Sequence, residues 1–272
     1  LINKKIFVAL DFSDLKHTLD FVEVVKNHVG GLKLGLEFFT KNGTSGVEKI
    51  KKCGLPIFLD LKFNDIPNTV NRAASNVLSL NPEYLTIHIN GGRRMIESIV
   101  SIKGKTKIIG VTMLTSLDNQ DLSDLCIEKE SSEYVKKLSL LGQKSGLDGV
   151  VSSVSELKIL KQVMPDNFIF VTPGINLKME HKDQRRTSNP VEAIKSGSSI
   201  LIIGRTITMS DDPLRVIMAI NQEISKNNPQ IRNFVTLSPL PNFTKWLKKI
   251  KIKKEHFNLK NNNSGFEYLK RY

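Results

Sequence analysis

The residues best suited to chemistry lie in one short run, Ile57-Phe58-Leu59-Asp60-Leu61-Lys62-Phe63-Asn64-Asp65. Side chains alternate along a strand, so Leu59, Leu61 and Phe63 are expected to share one face, under covering helices. Asp60 and Lys62 then share the other, toward an interior. An unpaired charge away from water is strongly destabilising, so the two must pair or meet a ligand. Asp65 adds a carboxylate where the strand gives way to a helix, and Lys33, in Leu32-Lys33-Leu34-Gly35, adds an ammonium from a neighbouring strand. Asp60 and Lys62 alone could be a salt bridge at a sheet rim. With Lys33 and Asp65 they form an array of both signs, suited to a reaction in which charge moves.

Such an array needs a scaffold that gathers several strand ends. Eight apolar, β-branched runs are candidate strands: Ile6–Phe12, Leu32–Gly35, Ile57–Phe63, Tyr84–Ile89, Lys107–Leu114, Gly149–Ser152, Phe168–Thr172 and Ser199–Gly204. Between them lie helix-like spacings, such as Leu19, Val22 and Val25, or Val70, Ala74 and Val77. Strands alternating with helices predict an α/β fold with parallel βαβ units, and eight of them close a (β/α)₈ TIM barrel. A doubly wound open sheet is the rival topology. Polar residues favour the barrel, because they stand at or just past nearly every strand's C-terminal end. Asp11, Lys33, Asp60, Lys62, His88, Thr115, Gly174 and Arg205 are all so placed. In a barrel these converge on one face.

The formal net charge of +13 is uneven, since residues 226–272 hold eleven Lys/Arg against two Asp/Glu. The expected division is therefore a barrel over 1–225 and a basic, poorly ordered extension over 226–272. The balance left to the barrel gives no reason to expect nucleic acid or membrane there. Two cysteines, Cys53 and Cys126, are too few for a disulfide scaffold or a four-cysteine zinc site. No run approaches the ~18 apolar residues of a membrane span. The first residues lack the pattern of a signal peptide, so a cytoplasmic location is expected.

Asp60-Leu61-Lys62-Phe63-Asn64-Asp65-Ile66-Pro67-Asn68-Thr69 resembles the signature of the orotidine 5′-phosphate decarboxylase family, D-x-K-x-x-D-I-P-x-T. Further matches follow in order, among them Val8-Ala9-Leu10-Asp11, His88-Ile89-Asn90-Gly91-Gly92, Val171-Thr172-Pro173-Gly174-Ile175 and Ile203-Gly204-Arg205. The likeness spans roughly residues 5–225 and is greatest to the bacterial branch. It implies loss of CO₂ from orotidine 5′-monophosphate without cofactor or metal. By this resemblance Lys62 stabilises and protonates a C6 carbanion, Asp60 faces the substrate carboxylate, and Lys33 completes the charge network and reaches the ribose. Asp65 enters the neighbouring subunit's site, which implies a homodimer with shared sites. Asp11 binds ribose hydroxyls, and Thr69 the ribose of the partner site. Thr115 meets the pyrimidine edge, Gln184 bridges base and phosphate, and Gly204 with Arg205 holds the phosphate. The polar loop Asn176–Pro190 is expected to close over it.

Two features depart from that pattern. Asn176 stands where the family carries Arg after Pro-Gly-Ile, so weaker phosphate binding is expected. The stretch Phe234–Phe243 with Trp246-Leu247 resembles a short piece of malonyl-CoA decarboxylase. Two other functions remain open. A metal-dependent sugar-phosphate decarboxylase on the same scaffold would use a further carboxylate, for which Glu37 is available. A non-catalytic protein would instead act through its basic tail.

Overall fold

The computed structural model of the chain describes residues 3–176 and 188–227. The strands are β1 (Asn3–Ala9), β2 (Val29–Leu34), β3 (Ile57–Phe63), β4 (Tyr84–His88), β5 (Lys107–Val111), β6 (Gly149–Val151), β7 (Ile169–Thr172) and β8 (Ile200–Ile203). The helices are α1 (Leu15–Val25), α2 (Leu36–Lys51), α3 (Pro67–Leu78), α4 (Gly92–Val100), α5 (Asn119–Asp124) and α6 (Ser131–Lys144). They continue with α7 (Val154–Leu160), α8 (Pro190–Lys195), α9 (Arg205–Thr208) and α10 (Pro213–Asn227). Each strand pairs in parallel with the next, and β8 returns to β1, closing the barrel. The expected (β/α)₈ architecture is therefore the observed one. The basic extension lies outside the described residues. Among the described residues no helix is long and apolar enough to cross a membrane.

Most strands end earlier than their apolar runs. Strand β1 stops at Ala9, so Leu10, Asp11 and Phe12 belong to the connection into α1. Asp14 caps that helix by accepting the His17 backbone N–H, satisfying one of the donors that a helix start leaves open. Pro67 opens α3 and Pro190 opens α8, where a missing N–H does no harm. The apolar stripes face the sheet as the spacing predicts: Val70, Ala74 and Val77 of α3 are buried, as are Phe21, Val22 and Val25 of α1.

Inside the barrel a core forms from Phe7, Ala9, Phe58, Ile109, Val171, Ile200 and Ile202, with Tyr84 packed against it. The Phe7 ring meets Tyr84 edge-on at 5.6 Å and Phe58 at 6.4 Å between centroids. Gly31 makes room for it, because a Cβ there would lie 2.2 Å from the ring. This layer is the floor on which the charged residues stand. Replacing Phe7 with Ala should therefore lower the unfolding free energy by about 3–5 kcal/mol, read from the urea midpoint at unchanged slope.

Candidate active site

Above the aromatic floor a cavity of about 720 Å³ opens at the C-terminal ends of the strands. That volume suits a small organic molecule. Its lower wall is apolar, with Phe58, Val111, Val151, Val171 and Ile202. Its charged side comes from the first three strands. Lys33 pairs in register with Ala9 of β1 and Phe58 of β3, both of which face inward, so Lys33 faces inward as well. Asp60, two residues beyond Phe58, faces the same way.

The groups form a connected chain. Lys33 Nζ lies 3.3 Å from Asp11 Oδ1 and 3.3 Å from Asp60 Oδ2. Lys62 Nζ donates to Asp60 Oδ1 at 2.8 Å. Asp11 is half-exposed at one end, while the Lys33 and Asp60 side chains keep only 10% and 13% of their surface. Gly35 borders the chain closely, since a Cβ there would lie 3.0 Å from Asp11 Oδ1 and 3.1 Å from Lys33 Nζ.

Electrostatics follow from this geometry. Burial alone would favour neutral Lys33, yet the Asp60 and Asp11 carboxylates outweigh it and raise its pKa. Burial alone would favour neutral Asp60, yet Lys33, Lys62 and the Lys62 and Thr86 hydrogen bonds outweigh it and lower its pKa. Both groups are thus held ionised. His88, at the end of β4, is half-buried, and burial and the Lys62 ammonium lower its pKa against the opposing pull of Asp60. The resemblance-based set gives His88 no part. Among the described residues the His88 ring makes no hydrogen bond.

Strict alternation along β3 does not hold to the end. Leu59 pairs with Leu85 but Phe63 with Ile87, so the strand bulges between them. Lys62 sits in the bulge with φ +50°, a left-handed conformation that lysine seldom adopts. Such a residue stores about 1–3 kcal/mol of strain. Leu59 and Leu61 are buried outward as expected, but the bulge turns Phe63 partly into solvent instead of under the helices.

Asp11, Lys33, Asp60, Lys62, Thr115, Gly204 and Arg205 all line the cavity. Asp65 and Thr69 do not. Asp65 is exposed, and its carboxylate accepts the Ile66 backbone N–H at 2.7 Å. Thr69 is exposed on the first turn of α3. Gln184 lies outside the described residues, although both ends of its loop are tied together. Asn176 N–H donates to the Ser188 carbonyl, and Ser188 N–H to that of Gly174, each at 3.0 Å. Asn176 Oδ1 accepts from Thr206 Oγ1 at 3.1 Å, so this side chain is engaged at the cavity rim. Phe12, Met113, Thr206 and Met209 also line the cavity and were not singled out by spacing. Glu37 lines it too, its carboxylate accepting from Ser13 Oγ at 2.9 Å. Among the described residues no three His, Cys, Asp or Glu side chains converge as a metal site would require.

The family model "Orotidine 5′-phosphate decarboxylase / HUMPS family" matches residues 4–220. The chain belongs to this family. An orotidine 5′-phosphate decarboxylase of Ehrlichia canis is 46% identical over 222 residues, covering 81% of this chain and 97% of that protein. One of Wolbachia pipientis is 46% identical over 210 residues, covering 76% and 93%. The crystal structure of the Lactobacillus acidophilus orotidine 5′-phosphate decarboxylase superposes with a TM-score of 0.71 at 32% identity. It covers 80% of this chain and 98% of that one. A second model, the malonyl-CoA decarboxylase C-terminal domain, matches residues 214–270, where the tail resemblance lies.

Removing the shared carboxylate should be felt in stability. Asp60 has its pKa lowered on folding, so its contribution is present above the unfolded carboxylate value and lost as pH falls through the folded one. Lys33 has its pKa raised, so its contribution is present below the unfolded lysine value and lost as pH rises through the folded one. Asp60→Asn should lower unfolding free energy near neutral pH by about 3 kcal/mol. It should also flatten the decline of stability on the acid side, measured by urea titration at a series of pH values.

Proposed function

We propose that this chain decarboxylates orotidine 5′-monophosphate to uridine 5′-monophosphate and CO₂, as the printed names of its relatives describe for those proteins. The observation that carries the reading is the Lys62–Asp60–Lys33 chain set into one wall of a nucleotide-sized cavity. Breaking the C6–carboxylate bond leaves an electron pair on C6 with no adjacent carbonyl to accept it. Fixed positive charge is then the available stabiliser, and it acts best where water is excluded and the dipoles are already oriented. Lys62 is the group with this geometry: its ammonium points into the cavity, anchored on one side by Asp60. As CO₂ departs, Lys62 Nζ delivers a proton to C6, and the pair that held the carboxylate becomes a C–H bond. Asp60 lies where the substrate carboxylate must come, so like charge weakens the ground state there and the repulsion ends as CO₂ leaves.

The rest of the cavity supplies grip. Asp11 and Lys33 face the ribose from the ends of β1 and β2, and Thr115 faces the base edge from beyond β5. Gly204 and Arg205 hold the phosphate at the end of β8, a common place for phosphate in barrels. By the family resemblance Gln184, which lies outside the described residues, bridges base and phosphate. Remote phosphate binding of this kind is converted into rate when it fixes the reacting carbon against the ammonium.

The working unit in this reading is a homodimer. Asp65, Ile66 and Thr69 are exposed beside the site but outside its cavity, and Ile66 keeps 67% of its surface. A second subunit covers this edge, with Asp65 and Thr69 completing the other subunit's site. The two unpaired thiols, Cys53 and Cys126, suit a cytoplasmic location.

Loss of absorbance from orotidine 5′-monophosphate tests the reaction directly. Lys62→Ala should lower turnover by at least about 10⁴-fold, because charge stabilisation and proton delivery are lost together. A variant retaining wild-type turnover would rule the mechanism out. Sharing of sites has its own test, by mixing Lys62→Ala with Asp65→Ala chains. Each alone should be nearly inactive, and after subunit exchange the mixture should recover about a quarter of wild-type activity, since each mixed dimer holds one intact site. No recovery would mean that Asp65 serves its own subunit.

A further inference from the structure

One hydroxyl touches both ends of the Lys62–Asp60 pair without entering the cavity. Thr86, in the middle of β4, is 0% exposed. Its Oγ1 accepts the Lys62 backbone N–H at 2.9 Å and donates to Asp60 Oδ1 at 3.0 Å. The same Asp60 oxygen takes the Lys62 ammonium at 2.8 Å. Backbone N–H, hydroxyl, carboxylate and ammonium thus form one closed ring of hydrogen bonds.

The ring sits where the strand is least regular. In the bulge, four steps along β3 match two along β4. A regular ladder would give the Lys62 N–H a carbonyl partner, and here the Thr86 side chain takes that place. A buried N–H without a partner is strongly disfavoured, so the hydroxyl favours the bulge over a straight strand. The left-handed φ of Lys62 gains nothing from the lysine side chain and must be held from outside. Thr86 is positioned to hold it and, through the same oxygen, to fix the carboxylate on which the ammonium rests.

We propose that Thr86 is a positioning residue for Lys62. Its hydroxyl locks the strained backbone and the Asp60 carboxylate into the arrangement that aims the ammonium into the cavity. The inference rests on the decarboxylase reading for its kinetic consequence and on geometry alone for its structural one. Valine has threonine's shape without the hydroxyl, whereas serine keeps the hydroxyl and loses the methyl.

The test compares kcat and KM for orotidine 5′-monophosphate in wild type, Thr86→Val and Thr86→Ser, with crystal structures of all three. Thr86→Val should lose about 10²-fold in kcat, the scale expected when a reacting group is misplaced by about 1 Å. Its KM should change by less than about threefold, because Thr86 does not line the cavity. Thr86→Ser should keep kcat within about threefold of wild type. In the valine variant Lys62 should leave the left-handed region and its ammonium should leave Asp60. If the valine chain does not fold, Thr86→Ala removes the same hydroxyl and carries the same comparison. Serine failing as badly as valine would overturn the proposal, and so would a valine variant with Lys62 and Asp60 unmoved. Wild type without turnover would overturn the decarboxylase reading instead, and the crystal structures would then decide the role of Thr86.

Discussion

One buried carboxylate holding two ammonium groups is the constraint from which the rest of the site follows. Asp60 binds Lys33 through one oxygen and Lys62 through the other. Any of the three left alone would be an uncompensated charge in a poorly hydrated place, which proteins do not tolerate cheaply. Strand β1, which leads into Asp11, and the strands that carry Lys33 and the Asp60–Lys62 pair must therefore lie side by side in fixed register. A parallel barrel supplies this, because β2 pairs with both β1 and β3 and parallel pairing leaves their C-terminal ends adjacent. Gly35 supplies the remaining clearance, since no larger residue fits beside Asp11 and Lys33 without moving them.

The same constraint explains why the third strand is irregular. An extended Lys62 would follow the pleat and the ladder, and its N–H would be spent on a carbonyl. The bulge frees that N–H and turns the residue, at the cost of a left-handed φ. The strain is local and lies where ordinary sheet pairing stops, so it does not unsettle the aromatic floor below. That floor, with Phe7 wedged over Gly31 against Tyr84 and Phe58, is rigid enough to carry a distorted layer above it.

Much of this was legible in the residues. The strand positions were readable because β-branched runs alternate with helical spacing, and the ends were over-extended because the apolar pattern runs on into the connections. Asp60, Lys62 and Lys33 were readable because charges flanked by apolar residues have few places to go. Asp65 and Thr69 were readable as part of the motif, but the single chain leaves them outside its own cavity. Thr86 was not readable as a participant. The alternation of Tyr84, Thr86 and His88 puts it on the inner face, yet its role comes from a bulge in the neighbouring strand that no period in the sequence announces. Met113, Met209 and Phe12 were equally silent, because an apolar residue at a cavity wall looks like any core residue.

The cavity is built from two unlike halves. Strands β1 to β4 bring all of the ionised chain and the hydroxyl behind it, whereas β5 to β8 bring apolar wall, small polar groups and, at the mouth, Gly204 and Arg205. Changes among Met113, Thr115, Thr206 or Met209 can therefore reshape the space offered to a bound molecule while the reactive side keeps its charge balance. A barrel divided in this way lets descent with modification alter the guest without dismantling the chemistry, with one semicircle held fixed and the other left to vary.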